Sequence, residues 1–156
     1  MSAFSGKYKL DPAGWSGGFF GKELYEFTND DADPLTCELG CRLIRPDHHY
    51  LTDLGSVPKT LQYICPKWFA KDRYPRSYLF HDSAYKHGAI WIGVPGGWKK
   101  VKATRKEVDQ MLYDMIILEG GSRANARTIW MGVRAGGWAS FDKESPKQAE
   151  TYKALV

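Results

Sequence analysis

Pro75-Arg76-Ser77-Tyr78-Leu79-Phe80-His81-Asp82-Ser83-Ala84-Tyr85-Lys86-His87-Gly88 is the stretch on which the reading of this chain turns. Pro75 suits the first turn of a helix, where its missing N–H has no intrahelical acceptor to lose. Gly88 can take the left-handed conformation that ends one. Between them Tyr78, His81, Asp82 and Tyr85 fall at i, i+3, i+4 and i+7 and share a face, with Phe80, Ala84 and His87 opposite. Two of the four members of that polar face are tyrosines, so it is not a plain solvent face. An imidazole between phenols and beside a carboxylate is where perturbed basicity is expected.

Downstream the pattern stays helical. Thr104 with Glu107 three residues on is a capping box, in which each side chain satisfies the other's backbone N–H. Val108, Met111, Leu112, Met115 and Leu118 supply a core stripe that ends at Gly120-Gly121. Ser122 caps a third helix, with Ile129, Trp130 and Val133 inward and Gly136-Gly137 at its close. Between the first two helices, Ile90 to Trp98 reads as a small hairpin turning at Pro95-Gly96-Gly97.

Upstream the chain reads as strands and turns. Asp11-Pro12-Ala13-Gly14 and Ser16-Gly17-Gly18 are turn chemistry. Phe19 to Phe27 has apolar residues on both parities. Leu35 to Ile44 reads as one strand with Cys37, Leu39, Cys41 and Leu43 on one face. Pro46 to Pro58 reads as a polar loop, followed by a short helical turn over 59–64 closed by Pro66. The class is α+β: small antiparallel strands first, then a three-helix half in which two antiparallel helices carry the polar centre. Residues 1–141 are expected to form one domain and 142–156 a polar tail.

Bulk properties set outer bounds. A chain of 156 residues can bury about two-thirds of its unfolded surface, so neither disulfides nor a metal is needed for stability. A net charge of +4 with scattered Lys and Arg gives no specific nucleic-acid signal. The densest basic run, Lys99-Lys100-Val101-Lys102 with Arg105 and Lys106, reads as a solvated loop beside a helix start. Three cysteines and no signal peptide argue against a disulfide frame and for synthesis in a reducing cytoplasm. No apolar run reaches the ~20 residues that span a bilayer. Aromatics at 14% suit a dense core or a binding surface.

The chemistry centres on two helices. Asp109 borders the core stripe of its helix and can point across an antiparallel pair at His81. A carboxylate on one imidazole nitrogen fixes the tautomer and raises basicity at the other, which could then take a proton from water. Asp82 would be available to a hard cation, and Arg105, one turn before Asp109, could hold Asp109 or meet an anionic substrate. Against this stands a structural reading, in which a buried His–Asp–Tyr network ties the helices in register. Spacing alone does not choose between them. A second candidate is the loop with His48, His49, Thr52 and Asp53, where Asp53 serves either as a third acid or as a helix cap. Zinc on Cys37, Cys41, His48 and His49 is disfavoured, because a strand spaces the two thiols too far apart.

Three motifs in order carry a resemblance over about residues 35–140. They are Thr52-Asp53-Leu54-Gly55-Ser56-Val57-Pro58, His81-Asp82-Ser83-Ala84-Tyr85 and Thr104-Arg105-Lys106-Glu107-Val108-Asp109, followed by a last helix ending Gly136-Gly137-Trp138. Together they resemble a family of uncharacterised proteins found mostly in tailed bacteriophages and prophages. That resemblance implies synthesis in a bacterial host cytoplasm, incorporation into the virion, and virion or tail proteins as partners. The His-Asp-x-x-Tyr helix with a distant Asp is also similar to phospholipases A2. This second resemblance implies His81 as base, Asp109 as orienting acid, Tyr85 as supporting hydrogen bonder, Asp82 as calcium ligand, and an ester or lipid substrate. The flanking cysteines of those enzymes are missing, and Gly55 is a poor stand-in for their calcium loop. Three functions follow: a calcium-assisted hydrolase, a virion or tail-assembly component with a structural His/Asp cluster, and a host-takeover binding protein.

Overall fold

Two antiparallel sheets carry the N-terminal half of the chain, and three helices carry the C-terminal half, an α+β arrangement. The structure is a computed structural model and describes residues 3–16, 22–54, 73–136 and 141. The strands are β1 (Phe4–Ser5), β2 (Tyr8–Ser16), β3 (Lys22–Asn29), β4 (Thr36–Leu39), β5 (Arg42–Arg45), β6 (His49–Thr52), β7 (Ala89–Val94) and β8 (Gly97–Lys102). The helices are α1 (Pro75–His87), α2 (Arg105–Leu118) and α3 (Arg123–Gly136). One sheet has the order β1-β4-β5-β7-β8 and the other β2-β3-β6. The β7–β8 hairpin follows α1 in sequence but joins the first sheet by pairing Ile44 with Ile92 and Arg45 with Trp91.

The helix α1 is the hub. Its buried residues run almost all round it, from Ser77 to His81 and from Ser83 to Tyr85. A helix covered on all sides belongs to the interior. Leu79, Phe80 and Ala84 join the strand residues Phe27, Cys37, Ile44 and Tyr50 and the α2 residues Val108 and Met115 in one core cluster. Tyr78 lies in a second cluster with Leu112 and Ile116 of α2 and Ala126, Ile129 and Val133 of α3.

The ends of the helices are tied by side chains. Thr104 Oγ1 accepts from Glu107 N at 3.3 Å, and Glu107 accepts from Thr104 N at 2.7 Å, the reciprocal box expected. α1 has no side-chain cap of its own. Glu119, just past α2, takes that role by accepting from Arg76 N at 3.2 Å and from Ser77 N at 2.9 Å. A carboxylate there meets the positive end of the helix dipole. The start of α1 thus lies against the end of α2, so the two helices run antiparallel.

Several local expectations are corrected. Leu35 to Ile44 is not one strand. Gly40 takes φ 63°, in the left-handed region, and reverses the chain between β4 and β5. The common face for Cys37 and Leu43 is lost with it: Cys37 is buried and Leu43 exposed. Asp11 to Gly14 does not end a strand but makes a register shift inside β2. The loop after Pro46 contains β6, whose Tyr50 and Thr52 point inward. In α2, Ile116 is buried where Leu118 was expected, and Leu118 is exposed. Phe19, Phe20, Gly55, the turn over 59–64, Cys65, Gly137-Trp138 and the tail 142–156 lie outside the described residues.

The basic run is the largest correction. It forms β8, and the Lys100 ammonium is buried. That ammonium lies 3.1 Å from Asp47 Oδ1. The same oxygen accepts from Trp91 Nε1 at 2.8 Å, and Asp47 N donates to Ser83 Oγ at 2.8 Å. Next to it the Arg45 guanidinium sits 5.0 Å and 4.7 Å from the ring centres of Trp91 and Trp98. Asp47 therefore fastens the C-terminal half of α1 to the hairpin. Asp47→Ala removes the carboxylate 3.1 Å from the buried Lys100 ammonium and should cost about 3–5 kcal/mol in urea unfolding. Lys99→Ala on the same strand should change stability by less than about 0.5 kcal/mol.

Candidate functional site

His81 and Asp109 meet at the centre of the molecule. His81 is 1% exposed and Asp109 is 0% exposed. Their meeting follows from the antiparallel packing: with Glu119 at the start of α1, Asp109, near the start of α2, comes opposite the second half of α1. His81 Nε2 donates to Asp109 Oδ1 at 3.2 Å, and the Tyr85 hydroxyl donates to the same oxygen at 2.5 Å. The other oxygen, Oδ2, accepts from an Arg134 guanidinium nitrogen at 2.9 Å. A buried carboxylate is tolerable only when its oxygens are satisfied in this way. Tyr85 stacks at a tilt on His81 with ring centres 4.1 Å apart, and Phe141 packs edge-on against Tyr85 at 5.2 Å.

The other imidazole nitrogen faces a second acid. His81 Nδ1 lies 3.7 Å from Asp82 Oδ1, a charge contact rather than a hydrogen bond. Asp82 Oδ2 accepts from the Thr52 hydroxyl at 2.5 Å, which links the centre to β6. Asp82 Oδ1 is buried with no hydrogen-bond partner. Thr52 also accepts from Leu54 N at 3.0 Å, so the turn leaving β6 is organised around the same hydroxyl.

The electrostatics follow from this layout. Burial pulls the His81 pKa down, but the hydrogen bond to Asp109 and the carboxylate of Asp82 outweigh it and raise the value above the ordinary 6.5. Burial raises Asp82 above the ordinary carboxylate range, with Asp53 pushing the same way and His81 and Thr52 opposing. Asp109 is also opposed by burial, yet His81, Tyr85 and Arg134 together hold it below its usual value. Burial, then the bond to Asp109, pushes the Tyr85 phenol well up. The centre therefore sets an imidazole between two carboxyl groups, closed by an arginine and a phenol.

The predicted site residues divide accordingly. His81, Asp82, Tyr85 and Asp109 come together. Tyr78 points into the helical core, and its hydroxyl is buried without a hydrogen-bond partner. Asp53 lies near enough to Asp82 to raise its pKa. Arg105 borders the centre without bonding Asp109: its guanidinium donates to the Arg134 carbonyl at 3.1 Å and opposes the rise of the Tyr85 pKa, and Arg134 is the cation on Asp109. His48 and His49 sit on the exposed side of the β3–β6 ladder, with Asp31 at 3.2 Å and Glu26 at 2.5 Å respectively. They play no part in the centre. Arg134 is the residue that the sequence did not point to, and Thr52, expected only in the second candidate loop, joins the His81 centre instead. A cation in the last turn of a helix is expected from the dipole alone, which hid Arg134. The alternation of β6 is the signal for Thr52, since residues two apart share a face.

Calcium takes about 6–8 oxygen ligands. Asp82 has one oxygen committed to Thr52 and the other 3.7 Å from the His81 ring. Among the described residues no group of three or more His, Cys, Asp or Glu could hold a metal. No helix of the described residues is long and apolar enough to cross a membrane.

Residues 33–133 match the model of a protein family described as a protein of unknown function (DUF1353). The match takes in β4 to β8, α1, α2 and most of α3, and so every residue of the centre except Arg134. No curated protein and no solved structure matches the chain.

The charge layout fixes how stability varies with pH. His81 is raised in the folded state, so its contribution is complete below 6.5 and is lost as pH rises through the raised folded value. Asp109 is depressed, so its contribution is present above 3.8 and is lost as pH falls through the depressed value. NMR of the His81 ring should report a titration above 6.5, and His81→Gln should flatten the alkaline fall in the urea midpoint. A ring that titrates below 6.5 would contradict the layout.

Proposed function

The chain belongs to the DUF1353 family, and from that premise and its buried charged centre we propose that it is a non-catalytic, protein-binding component whose His81 cluster holds three helices in register. The observation that carries the reading is that both nitrogens of His81 face carboxylates in a site sealed from solvent. A general base needs a free nitrogen within reach of the proton it removes, and here Nε2 is bonded to Asp109 while Nδ1 lies buried 3.7 Å from Asp82. Asp109, the acid that would orient such a base, is saturated by three donors from α1 and α3. Both partners are thus used internally. The resemblance of the three motifs to phage and prophage proteins supports a place in the virion or in tail assembly.

The competing hydrolase reading makes an opposite forecast. The purified chain is assayed on short-chain p-nitrophenyl esters and on phosphatidylcholine vesicles, with and without calcium. Hydrolysis no faster than that of His81→Gln, and a Tm unmoved by calcium, are the expected results. Positioned acid–base groups contribute about 10²–10⁴-fold to rate. Calcium-dependent turnover that falls by such a factor in both His81→Gln and Asp82→Asn would sink the proposal.

A further inference from the structure

A cleft of about 260 Å³ opens between the five-stranded sheet and α2, away from the His81 centre. Ile44, Ile90 and Val101 of the sheet and Val108 and Met111 of the helix form its apolar lining. Its rim is charged in an ordered way. Arg42 and Lys102 stand on the strand side, and Glu107 and Asp114 on the helix side. Among the described residues Arg42 and Lys102 form no close ion pair, although Arg42 lies near enough to Glu107 across the rim to lower that carboxyl's pKa.

Size and charge narrow the occupant. Pockets for drug-sized ligands and cofactors run to ~300–1,000 Å³, so this cleft lies below that range. It suits one large apolar side chain, the kind of anchor that dominates protein–protein binding. A fatty acid would offer one charge and leave the acidic side of the rim facing its carboxylate or its chain. A polypeptide can match both signs at once. We propose that this cleft is the docking site for a partner polypeptide that inserts one large apolar side chain, with an acidic residue against Arg42 and Lys102 and a basic residue against Glu107 and Asp114. The assignment rests on the protein-binding reading and names the surface that would serve it.

The test pans a random 12-residue peptide display library on the full chain and measures the selected peptides by fluorescence anisotropy. Enriched peptides should share one Trp, Phe, Leu or Met between an acid and a base. Arg42→Glu combined with Lys102→Glu should weaken them about tenfold or more, and a peptide whose acid is changed to Lys should recover on that variant. Val101→Trp, which fills the cleft, should weaken all of them by a similar factor, with its thermal melt checking that it folds. Enriched peptides indifferent to both variants overturn the docking site. So does an absence of enrichment, or lauric acid binding that is blocked by Val101→Trp while peptides fail to bind. None of these outcomes involves His81, so the non-catalytic reading stands or falls on its own hydrolysis assay.

Discussion

Asp109 is a carboxylate with no exposure to solvent, and everything around it follows from the need to satisfy its charge. It sits on α2, accepts from His81 and Tyr85 of α1, and accepts from Arg134 of α3. One side chain therefore specifies how three helices lie against each other. Apolar packing supplies most of the attraction between them, but apolar contacts tolerate sliding by a turn. A hydrogen-bonded charge does not, because each displaced donor leaves a buried group unpaired at about 1–3 kcal/mol or more. Register is thus set by polar groups, and cohesion by the surrounding Leu112, Ile116, Ile129 and Val133.

The same logic extends outward along α1. Glu119 closes its N-terminus, Asp82 joins it to β6 through Thr52, and Asp47 joins its later turns to the β7–β8 hairpin. α1 is held at each level by an acid, and three of these acids come from elements outside it. This explains how a helix with tyrosines, serines and a histidine can sit in the interior: its polar side chains are the fastenings. It also explains why a face with the spacing of an acid–base site need not be one. His81 lies between two carboxyl groups and Asp109 accepts from three donors, so the polar atoms of the centre are turned on one another.

Much of the fold was legible because its signals are local. Pro75 and Gly88 bracket α1, the Thr104–Glu107 box opens α2, and Pro95-Gly96 turns the hairpin, each within a few residues of chain. The meeting of His81 with Asp109 was legible too, given two antiparallel helices. What escaped depends on distant chain. Asp47 and Lys100 are 53 positions apart, so a buried lysine looked like part of a solvated run. Arg105 and Arg134 were both cations one helix away from usefulness, and only the packing of α3 decides between them. Gly40 left the apolar alternation intact across a hairpin tip, so the period alone could not reveal the reversal. Depth of burial was the least legible property, because residue spacing says which side chains share a face and not what lies over that face.

The central claim is that His81 and Asp109 act on one another as a buried, charged link. A double-mutant cycle with His81→Gln, Asp109→Asn and the pair, measured by urea unfolding, tests it directly. Residues in one such network couple by about 0.5–3 kcal/mol, and a buried charged link belongs in the upper half of that range. The account predicts a coupling above about 1.5 kcal/mol. Effects that add to within about 0.5 kcal/mol would contradict it.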